Sequence, residues 1–228
     1  MTLLLLLYFA DIPYLGNEVP FYLCRMTRKI WLAGQVVYIV CATAIYTVAI
    51  LLSTILICGQ RCYVGNIWSE TAVKLAFTSA GKKLSLAASE KTLELTRPYA
   101  CMTTIFFLLF AYALVMVLLI FWFRILWNEL AGMIAGVVFN GISFIFSPGV
   151  LQKLLGISER KSYLANVAAG WISPLSHATY HLHNFGYDRL PSLRDSGIYD
   201  MVLVIVLILL NLYSIRTYHF VFDGTGER

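Results

Sequence analysis

The chain has 228 residues, 60% of them hydrophobic and 13% charged, with a mean hydropathy of +0.76 and a net charge of +5. Soluble domains carry about 45–50% apolar and about 25% charged residues, so this composition excludes an ordinary water-soluble globule. The few charges are gathered into short stretches, as expected when a charged side chain at mid-bilayer costs about 3 kcal/mol even on the lenient insertion scale. The sequence therefore reads as one multi-pass domain over residues 1–228, an all-α transmembrane helix bundle, with its positive excess directed at topology and anionic lipid rather than at nucleic acid.

The first apolar run, Met1 to Ala10, spans about 15 Å as a helix, half a bilayer, and is read as the partial end of a span in a sequence that begins as a fragment. It has no basic segment before it and no small-residue cleavage site, so it does not read as a signal peptide. A polar, basic connector follows over residues 11–29. The run Ile30 to Cys58 is long enough to cross. Residues 59–99 form a first long polar segment in which WSETAVKLAF and LSLAASEKTLEL have helical apolar spacing, predicting short helices at the interface. Cys101 to Phe123 carries no charge and is the clearest span. A turn over Arg124 to Glu129 and a second span, Leu130 to Ser147, complete a hairpin, with Gly132 and Gly136 as a small-xxx-small pair for close helix approach.

A second long segment, residues 148–200, contains VLQKLLGI and YLANVAAGWI, apolar or amphipathic but too short to cross, which fits re-entrant or interfacial helices. The final span is read as Met201 to Tyr218. The count is thus four full spans and one partial span. Arg25, Arg28 and Lys29 abut a span and argue for a cytoplasmic connector, which puts residues 59–99 and 148–200 outside. The raw count runs the other way, since eleven of the seventeen Lys and Arg fall on that outer side, although at lower density.

Chemical motifs are sparse. There is no G-x-x-x-x-G-K-[ST]; the nearest stretch, GISERKS from Gly156, lacks the second glycine that would let the backbone cradle a phosphate. No G-x-S-x-G or H-E-x-x-H occurs. His177, His181 and His183 lie in SHATYHLHNF, and on a continuous helix the first two would share a face as metal-binding pairs do. One such box without a nearby carboxylate does not build a di-iron site, so the residues read as interfacial histidines, with a metal site as the lesser alternative. Cys41 and Cys101 read as small core residues, and Cys58 and Cys62 bracket a membrane exit with a bridge as the lesser reading. Gln35, Thr43, Ser53, Thr54, Asn140, Ser143 and Asn211 read as interhelical hydrogen-bonding groups. No acidic or basic relay is read inside a span, which argues against ion-coupled secondary transport.

Several stretches in order carry a family resemblance: FADIPYL, then FYLCRMTRKIWLAGQVVYIV, NIWSE, TRPYACMTTIFFLL and WISPLSHATYHLHNFGYDRLPSLRDSGIYDMVLVIVLILL. In this order the chain resembles the membrane subunits of ATP-binding-cassette transporters of the type-2 exporter class, lacking the first span. The resemblance implies that the connector is a cytoplasmic coupling helix docking on a separate ATPase. Pro20, Phe21, Tyr22, Arg25, Arg28 and Lys29 would be its contact residues. It implies ATP and magnesium on the partner subunit and no catalytic or cofactor site in this chain. It also implies a second permease copy or homologue, a plasma-membrane location, and export by alternating access. The rival readings are a membrane enzyme with a His177/His181/His183 metal site and a non-transporting assembly or immunity-type protein. No short motif specifies a substrate.

Overall fold

The computed structural model describes residues 2–9, 12–13, 25–59, 64–78, 90–154, 156, 158, 161–186 and 188–218. Among them every regular element is helical: α1 (Thr2–Tyr8), α2 (Arg28–Cys58), α3 (Glu70–Phe77), α4 (Glu90–Leu95), α5 (Pro98–Leu126), α6 (Glu129–Ile145), α7 (Pro148–Leu154), α8 (Ser162–Ile172), α9 (Pro174–Ala178), a 3-10 turn at Tyr180–Leu182, and α10 (Leu193–Ser214). Of these, α2, α5 and α10 are long and apolar enough to cross a membrane. The helices α6 and α7 are long and apolar enough only when taken together, and they bend by 72° between them. The break falls where Pro148, which cannot continue a helix, restarts the chain as the first residue of α7.

Local signals fix most helix boundaries. Thr27 caps α2, its hydroxyl accepting from the Ile30 amide at 3.4 Å, and Gly59 closes it at φ +47° with its own N–H on the Ile55 carbonyl. Asn128 caps α6 by accepting from the Ala131 amide at 2.8 Å. The Pro98 start of α5 lacks a cap from its own neighbour; instead Asn66, in the NIWSE stretch, accepts from the Tyr99 amide at 3.2 Å. Ser192 and Asp195 form a reciprocal capping box that starts α10.

Among the boundaries that differ from the sequence reading, two matter most. The last helix begins at Leu193, not Met201, so Arg194, Asp195 and Asp200 belong to it; the capping box outweighs the charges that made this stretch look like loop. Arg124 lies in the last turn of α5, because the break between α5 and α6 needs only Trp127 and Asn128.

The bundle is built around α5, which packs against α2, α6, α10 and α9. Half of its most apolar window is buried, against 22% for α2 and α10. The outward faces of α2 and α10 are apolar, with Val37, Ile45, Leu52 and Leu56 exposed on one and Met201, Ile205 and Leu209 on the other. Water disfavours such extended apolar surface and lipid accommodates it, so the architecture is that of a membrane protein. Cys101 is buried as expected, whereas Cys41 lies on the exposed face of α2.

The polar residues inside the helices divide by use. Tyr112 on α5 donates to Asn140 on α6 at 3.0 Å, Ser143 on α6 accepts from the Leu175 amide of α9 at 3.1 Å, and Asn211 on α10 donates to the Leu118 carbonyl of α5 at 3.4 Å. Thr43, Ser53 and Thr54 instead return their hydroxyls to carbonyls of their own helix.

Candidate functional site

At one end of the bundle two arginines grip backbone carbonyls. Arg124 has 2% of its side chain exposed; it donates to the Phe9 carbonyl at 3.2 Å and to the Ile12 carbonyl, and to the Glu129 carboxylate at 2.7 Å. Glu129 is mostly exposed, so the carbonyl bonds contribute more than the ion pair. The arginine stem fits because Gly132 faces it: a Cβ there would stand 2.4 Å from the Arg124 Cγ and 2.8 Å from the Ile120 carbonyl oxygen. Gly132 is thus the member of the small-xxx-small pair that admits the arginine between α5 and α6.

Arg28, at the start of α2, donates to the Ile215 carbonyl at 3.4 Å and to the Arg216 carbonyl. These carbonyls follow the last turn of α10, where a cation opposes the negative end of the helix dipole. Trp31, one turn on, stacks against Tyr218 with ring centroids 6.3 Å apart and lies 6.5 Å from Phe121 of α5. Burial pushes the Tyr218 phenol up, and the nearby Arg124 guanidinium draws it partly back. The connector is therefore held at both ends: Ile12 is tied to α5 through Arg124, and Arg28 is tied to the end of α10. Arg25, Arg28 and Lys29 are exposed. Pro20, Phe21 and Tyr22 lie outside the described residues.

The opposite end gathers the two long polar segments. Lys91 pairs with Asp188, and the Trp68 indole donates to the Thr96 carbonyl at 2.8 Å. Tyr180, Cys101 and Leu108 form a small core with Trp68, Phe185 and Leu193 against it. The histidines belong here, but not as a helical pair. The helix α9 stops at Ala178, and Thr179 is extended (φ −103°, ψ 107°), so His177 and His181 stand on different elements. His177 and His183 instead converge on the Ser196 hydroxyl of α10, at 2.8 and 2.9 Å. Their other ring nitrogens face carbonyls: Trp171 at 3.2 Å for His177, and Thr179 and Tyr180 at 3.0 and 3.1 Å for His183.

Those carbonyls can only accept, so each ring donates to its backbone partner and presents a lone pair to Ser196. A single hydroxyl proton then serves two acceptors. One added proton would complete the chain of bonds but would place a cation among buried groups, and burial pushes both imidazoles below their ordinary range. Ser196 beside a histidine has the composition of a nucleophile and base, yet it is fully buried and lines neither the cavity against α6, α8 and α9 nor the groove between α5 and α10. The trio is a staple between α9 and α10. Among the described residues, no three His, Cys, Asp or Glu side chains stand close enough to hold a metal ion.

The sequence reading missed Arg124, which it placed in a turn, and Asp200, which it placed before the last span. No protein-family model matches the chain, and neither a curated protein nor a solved structure matches it.

Proposed function

We propose that this chain is the permease subunit of an ATP-binding-cassette transporter of the type-2 exporter class, moving a substrate across the plasma membrane by alternating access. On this reading residues 11–29 form the cytoplasmic coupling element, the broken α6–α7 pair counts as a fourth span, and α8 and α9 are outer re-entrant helices. ATP and magnesium bind a separate cassette subunit, and a second permease copy or homologue completes the pathway.

The observation that carries the reading is the double attachment of the connector. A coupling element must pass displacement into the spans, and this one is tied to α5 through Arg124 and to α10 through Arg28. A push on a segment held only by flexible chain would dissipate, whereas a push here bears on the central helix and the last one. The exposed Arg25 and Lys29 supply charge for an acidic partner surface without taking part in either attachment.

A photo-crosslinking residue at Arg25 or Lys29 in cells tests the proposal. The expected adduct is a polypeptide containing a G-x-x-x-x-G-K-[ST] loop, lost when the remaining cation is reversed to Glu. Absence of any such adduct, or an adduct indifferent to charge reversal, rules the coupling role out.

A further inference from the structure

The other side of the bundle carries a second feature, independent of any ATPase. Between α5 and α10 lies a groove of about 540 Å³, inside the size range of small-molecule sites. Its walls are almost wholly apolar, with Phe107 and Leu114 from α5 and Met201 and Ile205 from α10. Among the described residues one acid lines it. Asp200 is 6% exposed, and its Oδ2 is sealed from solvent with no hydrogen-bond donor among the described residues.

Three nearby hydroxyls are engaged elsewhere. Thr103 and Thr104, which also line the groove, donate to carbonyls of their own helix at 3.0 and 2.8 Å. Ser196, one turn before Asp200, is held by the two histidines. Among the described residues no Lys, Arg or His lines the groove. An acid in such surroundings needs either a proton or a cation, and an ionisable group within a membrane-spanning helix marks a binding site more often than a structural one.

We propose that this groove binds lipophilic organic amines in their protonated form, with Asp200 as the counter-ion. An inorganic cation is the poorer fit, because it requires several oxygen ligands and the groove offers one carboxylate beside committed hydroxyls. An alkyl or aryl ammonium needs one acceptor for its N–H and an apolar wall for its body, and the groove supplies both. Phe107, Met201 and Ile205 are exposed at the rim, so an amine dissolved in the bilayer reaches the groove from its flank.

The test uses the full chain in lipid nanodiscs with two probes, a dansyl-labelled octylamine and the corresponding dansyl octanol. Asp200→Asn removes the charge at constant size. Gly197→Leu fills the groove and leaves the acid intact, because Gly197 lines it and a Cβ there meets nothing within 4 Å. Saturable amine binding to the natural chain, weakened at least about tenfold in each variant while Asp200→Asn leaves the alcohol unaffected, is the expected result. Thermal stability of both variants near that of the natural chain excludes misfolding as the cause. No saturable amine binding, amine binding unchanged in either variant, or an alcohol weakened by Asp200→Asn as much as the amine overturns the proposal. None of these results bears on the connector crosslink, so the two readings fail separately.

Discussion

Arg124 shows how one side chain organises an end of this bundle. Its charge is buried beside lipid-facing helices and tolerated because two backbone carbonyls and a carboxylate take its protons. Replacing it with Leu leaves the Phe9 and Ile12 carbonyls without a donor, at an expected cost of about 2–4 kcal/mol. Arg124→Lys keeps the charge but cannot fork across all three acceptors, so it should restore only part of that stability. Gly132→Ala should cost about 1–3 kcal/mol through overpacking, since the new methyl meets a helix carbonyl as well as the arginine stem. Thermal unfolding in one detergent ranks all three variants, and a Gly132→Ala protein as stable as its parent would contradict this packing.

At the scale of elements, the His177–Ser196–His183 staple joins the short helices before α10 to α10 itself. An unfolded imidazole takes its proton near pH ~6.5. Burial holds both folded rings below that value, so across this interval the unfolded chain binds more protons and stability falls as pH falls. Between about pH 7 and 5.5 the melting temperature of the natural chain should therefore fall relative to that of the His177→Gln, His183→Gln double variant. An equal slope in both proteins would remove the histidines from the explanation. Ser196→Ala should cost about 1–3 kcal/mol at neutral pH by leaving both ring nitrogens unmet.

Elements of this kind were unevenly legible in the sequence. The apolar runs of α2 and α5 announced themselves by length alone, and Pro148 marked the break after α6. The start of α10 was hidden by Arg194, Asp195 and Asp200, although the S-x-x-D pattern at Ser192 is a readable capping signal. Reading it would have moved Asp200 into the helix and shown an acid within a span. The histidine spacing carries no pairing, because i, i+4 has meaning only on a continuous helix, and Ser173–Pro174 starts a helix too short to include His181. Which polar residues cross between helices was not readable either: Thr43 and Asn140 look alike in a chain, and only the neighbour decides.

For the whole molecule, the contacts divide the polar residues between two ends. Arg25, Arg28, Arg124, Arg216 and Tyr218 gather where α2 starts and α5 and α10 finish, and Arg28 and Arg124 fasten that end together. Trp68, Lys91, Tyr180 and Asp188 gather where α5 and α10 start. Positive charge did not divide this way by count, since most cations lie in residues 59–99 and 148–200. Those cations are spread through longer segments, whereas Arg25, Arg28 and Lys29 fall within five residues at the start of α2, so density rather than count favours the connector end as the cytoplasmic one. The two ends should therefore face opposite sides of the membrane. In a chain whose native cysteines are changed to Ala, Val64→Cys, Glu94→Cys and Arg189→Cys should react with an impermeant maleimide from one side of sealed vesicles. Arg25→Cys and Arg216→Cys should react only from the other. Labelling of both groups from a single side would break the two-ended arrangement.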